Sequence, residues 1–218
     1  MAAADHTAAV GARTKAGTFL VGARNDLLGR ELFVNGPERV LGSLRRAVRV
    51  LRSGRDEAIG GVLVLCGEGG ASLACLAVRR VGFDRAVILP LSDEAAMRAR
   101  VDLILNDVDD LVYVADPGVA LADALATSGC RPEDVSLVCV VGAGGTSAAL
   151  SDGATVSAGG APLLVLAAAV GVSVRALQAR GHVRGVRVDL SRKNLAVRPL
   201  DAQPVVGDDL QGWLLLPD

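Results

Sequence analysis

Residues 135–153 read VSLVCVVGAGGTSAALSDG: an apolar run of β type, a break at Gly142, Gly144 and Gly145, then a second short run from Thr146. Glycines at such a break supply positive φ and let successive backbone N–H groups converge on one point. Gly142, Ala143, Gly144, Gly145, Thr146 and Ser147 are therefore a candidate nest for a phosphate, with two hydroxyls as extra donors and no charged side chain required. The pattern is not a Walker loop, which needs Gly-Lys-Ser/Thr, nor a dinucleotide fingerprint, because both lead into a helix. Here Ser151, Asp152 and Gly153 end the second run after a few residues. The spacing predicts a hairpin, residues 135–139 antiparallel to residues 147–150. A tight hairpin that binds nothing would satisfy the same pattern.

No other cluster of reactive residue types is as compact. Cys66, Cys75, Cys130 and Cys139 lie far apart in or beside apolar runs, with no CxxC pair, which fits buried, reduced thiols in a cytoplasmic protein. His6 and His182 are too few and too isolated for a histidine metal site. Of 23 basic residues only Lys15 and Lys193 are lysines, and the densest run is Arg45, Arg46, Arg49, Arg52 and Arg55. With a net charge of −1, a solvated helix face accounts for that run better than a nucleic-acid patch does. Aromatic residues are 2 % of the chain, too few to stack single-stranded bases. The first ten residues carry Asp5 and no basic-then-apolar leader pattern, and the longest apolar run, residues 161–172, is too short to span a bilayer. No nucleic-acid or membrane partner is expected.

The elements that must position these residues alternate. Residues 1–16 are Ala-rich and aperiodic, and are expected to be a disordered arm. The remainder, residues 17–218, is expected to form one α/β domain. A short strand is expected at 18–21. Pro37 opens a helix to about residue 52, with Leu41, Leu44, Val48 and Leu51 at helical spacing. Further strands are expected at 62–66, 85–89 and 111–114, and helices at 73–80, 93–105 and 119–128. Beyond the glycine break the pattern predicts a helix over 162–180, a strand over 183–190, and a Pro- and Gly-broken tail over 197–216 with Trp213 near its end. The whole reads as a mixed sheet with flanking helices, antiparallel in part because of the hairpin.

Taken in order, the pieces from about residue 18 to residue 160 resemble one lobe of the nucleotide-binding domain of DnaK-type heat-shock chaperones, in the ribonuclease-H-like, actin-type ATPase fold. FLVGARNDLL and NGPERVLGSLRRAVR resemble the family's strand, Asn-Pro and basic helix, which places its catalytic lysine at Arg45. RAVILPLSDEAAMRA resembles the strand that ends at the hinge proline, here Pro90. LVYVADPGVALADAL resembles the segment with the catalytic glutamate, here Asp116, and VCVVGAGGTSAALSDG resembles the second phosphate loop. The resemblance implies a pseudo-ATPase: residues 17–160 as the lobe, 161–218 as an extension, and weak binding of ATP, ADP or phosphate. The first phosphate hairpin has no counterpart, and Val140 stands where a carboxylate should help hold hydrated Mg²⁺. Positioning and charge neutralisation carry phosphoryl transfer, so such a lobe is expected to act through a protein partner or as a homo-oligomer rather than by catalysis.

A second resemblance starts elsewhere. VLVLCGEGGASLACLA followed by VILPLSDEAA resembles a class I S-adenosylmethionine methyltransferase, with Gly67, Gly69 and Gly70 as the cofactor loop. That loop normally comes after an acid, and the next strand normally ends in an acid that binds the ribose. Here those places hold Val64 or Leu65, and Pro90. The two resemblances disagree about the course of the chain after residue 142: a hairpin arm in the first, a path towards a helix in the second.

Overall fold

The computed structural model describes residues 9–15, 17–22, 33–34, 36–52, 59–67, 70–142, 161–167, 184–188 and 211–216. Within the arm expected over residues 1–16, residues 9–14 are instead a strand: β1 (Ala9–Thr14) pairs antiparallel with β2 (Gly17–Gly22), in register from Ala9↔Gly22 to Thr14↔Gly17. Ala12 and Phe19 are partners across it, and both are buried, while Gly11 and Arg13 face solvent. That alternation is the period of a half-buried strand. Next comes α1 (Pro37–Leu51), whose proline occupies the first turn, where a missing N–H costs nothing. Leu41, Leu44, Ala47 and Val48 form its buried stripe.

The main sheet then builds by strand-helix-strand units. They are β3 (Val62–Gly67), α2 (Gly70–Leu76, continued by a π turn over Ala77–Val81), β4 (Arg85–Leu89), α3 (Asp93–Leu105), β5 (Val112–Val114), α4 (Leu121–Thr127) and β6 (Val135–Gly142). The Ser92 side chain caps α3 by accepting from the Ala95 N–H at 3.2 Å, and Asp93 and Glu94 sit in its first turn. Three further strands complete the sheet: β7 (Leu163–Ala167), β8 (Arg184–Val188) and β9 (Gln211–Leu216).

The strand order is β5-β4-β3-β6-β7-β9-β8. The first five in that order are parallel; β9 is antiparallel to both β7 and β8. All six residues of β3 are buried because helices cover both faces of the sheet. Leu63 and Leu65 join α1, α2, α3 and Phe19 on one face, whereas Val62, Val64 and Cys66 join Leu121, Ala124 and Leu125 of α4 on the other. Each of the valine, leucine and phenylalanine side chains contributes roughly 1.5–3 kcal/mol relative to leaving it in water.

The structure corrects three further expectations. β6 has parallel neighbours on both edges, with Val138 to Gly142 paired to β7 and Val135 to Val141 paired to β3. No edge of this interior strand is left for an antiparallel arm, so the hairpin does not form on it; its second arm, residues 147–150, lies outside the described residues. Leu163–Ala167 is a strand and not the start of a helix. The tail likewise supplies a strand, β9, whose Trp213 is opposite Val165. Residues 168–180 of the expected helix lie outside the described residues.

Candidate functional site at the carboxyl ends of the parallel strands

In a doubly wound sheet, strand order reverses where successive crossovers pass to opposite faces, and the crevice outside the carboxyl ends at that point is open to a ligand. The reversal here lies between β3 and β6. β3 ends on Gly67 and β6 on Gly142, and Gly67 is aligned with Val141. Gly67 has φ +119°, and a Cβ on it would overlap the Val141 carbonyl oxygen. Only glycine fits, and it leaves backbone rather than side chain facing the crevice. Gly70 has no such strain. A Cβ there would meet Ile88 Cγ2 at 3.4 Å and Leu65 Cβ at 3.5 Å, so its role is close approach of α2 to the sheet. Glu68 and Gly69 lie outside the described residues.

Beside this turn, a cavity of about 30 Å³ is bounded by Phe19, Gly67, Gly70, Ser72, Pro90 and Asp102, among others. The β1–β2 hairpin forms its outer wall, held by side chains of α3 and the residue after it. Asn106 Nδ2 donates to the Thr18 carbonyl at 2.6 Å, and its Oδ1 accepts from the Thr18 N–H at 3.1 Å. One carboxamide thus bonds a strand residue as a neighbouring strand would. Asp102 Oδ1 accepts from the Leu20 N–H at 2.6 Å. Asn106 also donates to the Asp102 carbonyl at 2.7 Å, its own carbonyl accepts from Arg79, and Arg80 donates to the Lys15 carbonyl at 2.8 Å. Asp102 and Asn106 are both buried, and burial without partners would be costly. No local sequence signal marks them, because their partners lie 82 and 88 residues away.

The residues singled out from sequence do not assemble into one site. Arg45 is exposed on α1, on the face opposite that helix's buried stripe. Asp116 lies just after β5 and binds Arg100 at 2.6 Å. Gly142 ends β6 at the crevice, aligned with Ala167; Ala143, Gly144, Gly145, Thr146 and Ser147 lie outside the described residues. Pro90 is buried at the end of β4, and the β4 terminus contributes no carboxylate to the crevice. Among the described residues no group of His, Cys, Asp and Glu could hold a metal ion.

The four cysteines are buried and form no disulfide. Burial pushes the Cys75 thiol up to about 12, assisted by the negative charge of Asp102, and burial raises Cys139 further. Neutral thiols at ordinary pH are poor nucleophiles, and burial keeps both in that form. Cys66 and Cys139 sit on adjacent strands, but Cys139 aligns with Leu65 and packs on the other face of the sheet from Cys66.

No family model matches the sequence, and no curated protein does. Solved structures do match the fold. The N-terminal domain of human METTL16 in complex with SAH superposes at a TM-score of 0.57, with 11 % identity, over 82 % of this chain and 69 % of that one. A METTL16 methyltransferase domain in a second crystal form gives 0.56 at 12 % identity, over 80 % of this chain and 66 % of that one. The chain thus spans about two thirds of the length of these neighbours. These neighbours are not chaperone ATPases, and they correct both the DnaK-type resemblance and the ATP or ADP site drawn from it. A parallel β6 with two neighbours cannot be the phosphate hairpin on which that resemblance turned. The chain has a Rossmann-like α/β fold, which these methyltransferase domains share.

Proposed function

We propose that the chain is a class I S-adenosylmethionine-dependent methyltransferase or a protein that retains that cofactor site, with the cofactor at the carboxyl ends of β3, β4 and β6. The observation that carries this reading is the coincidence of the strand-order reversal with a strained Gly67 whose side-chain position is closed by Val141. S-adenosylmethionine would supply an electrophilic methyl group on its sulfonium sulfur. The backbone at Gly67 would lie against the amino-acid and ribose portions, because glycine permits the close approach. Leu65 and Pro90 place no carboxylate there, so one charge-assisted contact to a ribose hydroxyl is missing, and affinity should suffer by about 1.5–3 kcal/mol relative to a site that has it.

Amide NMR of the whole chain titrated with S-adenosylhomocysteine tests the location. The expected result is saturable shifts at Gly67, Gly70, Ala71 and Val141. Shifts confined to residues remote from these strand ends, or none at millimolar ligand, would overturn the reading.

A further inference from the structure

The β5 rim of the sheet carries charge and apolar surface for which the cofactor cleft has no use. Residues 91–130 hold eight Asp or Glu and two Arg, a net charge of −6 in a chain whose total is −1. Arg98 pairs with Glu94 at 4.0 Å and Arg100 with Asp116 at 2.6 Å, while Arg85, which also lines this rim, donates to the Ser128 carbonyl at 2.8 Å. Asp109 and Asp110 are exposed, and no ion pair reaches either among the described residues. They edge a groove of about 610 Å³ whose floor includes Leu103, Ile104, Leu111 and Tyr113. Ile104 is 62 % exposed and Leu111 38 %. The apolar surface continues up α3 through Val101 and Met97, also exposed, at helical spacing from Ile104. Helix α3 is therefore apolar on two sides, with Ala95, Ala96, Ala99 and Leu103 turned into the core and a second stripe left facing outward.

The edge strand beneath the groove is not a template for strand addition. The Val112 N–H is already bonded to the Val108 carbonyl at 3.1 Å, and Arg100 donates to the Val114 carbonyl at 3.4 Å. Blocking backbone groups in this way is how an edge avoids pairing with another chain. A partner must dock through side chains, as a helix lies in a groove. We propose that this groove binds a basic amphipathic helical segment of a partner protein, with its apolar face on Ile104, Leu111 and Tyr113 and its Lys or Arg residues on Asp109 and Asp110. Charge complementarity selects that occupant. A second copy of the chain meeting the same groove would set its own aspartates against these, and like charges brought together oppose association. The attraction to exposed carboxylates is screened by salt, so binding weakens as ionic strength rises.

The test titrates the full chain, followed by amide NMR, with a synthetic helical peptide of about 14 residues, four turns long, bearing Leu on one face and Lys on the other. Its counterpart with Glu for Lys is the control. The expected result is saturable binding of the Lys peptide with the largest shifts over residues 103–113, and negligible binding of the Glu peptide. Asp109→Asn with Asp110→Asn, and separately Ile104→Ser, should each weaken the Lys peptide by about tenfold, roughly 1.4 kcal/mol. These side chains are exposed, so melting should be unchanged, and Asp123→Asn on α4 should leave affinity intact. Equal binding of the Glu peptide, undiminished binding by the double Asn variant, or shifts outside the groove would overturn the proposal. So would sedimentation of the free protein as a dimer that Ile104→Ser dissociates.

Discussion

Gly67 is the residue on which the geometry of the crevice turns. Its φ of +119° is rarely open to other residues, and the Val141 carbonyl occupies the place of a side chain. Gly67→Ala must therefore strain the backbone and part the ends of β3 and β6, at a cost of about 2 kcal/mol or more, which for a chain of this size lowers the melting temperature by roughly 5 °C. Gly70→Ala is the matched control. Its Cβ would make ordinary contacts with Ile88 and Leu65, and melting should stay within about 2 °C of the parent. Thermal unfolding by circular dichroism compares the two; equal melting temperatures would mean that the close approach of β3 to β6 is not what requires glycine at position 67.

At the scale of elements, the hairpin is a separate two-stranded sheet, held by side chains rather than by pairing to the main sheet. It docks through Phe19 and through the Asn106 and Asp102 side chains. Asn106→Ala removes both bonds to Thr18, and leaving those backbone groups without partners costs about 1–3 kcal/mol. Hydrogen exchange should then speed up roughly tenfold or more at the Thr18 amide and less at Leu20, which Asp102 still holds, with β3 and β4 unchanged. Unchanged exchange at Thr18 would show that the Asn106 carboxamide is not what holds the hairpin.

The elements also differ in how plainly they stand in the sequence. β3, β4, β5 and β6 are near-continuous apolar runs bounded by Gly, Pro or Asp, as parallel strands read when both faces of the sheet are covered. The same property hid β7. LLVLA runs on into AAVGVSV, and a long apolar stretch fits a buried helix as well as a buried strand. The hairpin expected at Gly142 failed for a related reason, since local glycine chemistry cannot reveal that both edges of β6 are filled by strands distant in sequence. Gly67 was visible as a glycine after an apolar run; its importance was not, because it depends on where strand order reverses.

For the whole molecule, the arrangement is a five-stranded parallel sheet covered on both faces, one antiparallel strand between β7 and β8, and an acidic groove at the β5 rim. No helix among the described residues is long and apolar enough to cross a membrane. The fold separates two surfaces: a crevice where glycine backbone faces outward at the strand ends, and a rim where aspartates flank exposed aliphatic side chains. The central claim concerns the first. Calorimetric titration of the full chain with S-adenosylmethionine, S-adenosylhomocysteine and ATP, each with and without Mg²⁺, tests it most directly. Without a ribose carboxylate the adenosyl ligands should bind with a dissociation constant on the order of tens of micromolar, near −6 kcal/mol, independently of Mg²⁺, while ATP gives no saturable heat. Saturable, Mg²⁺-dependent binding of ATP with no heat from either adenosyl ligand would contradict it.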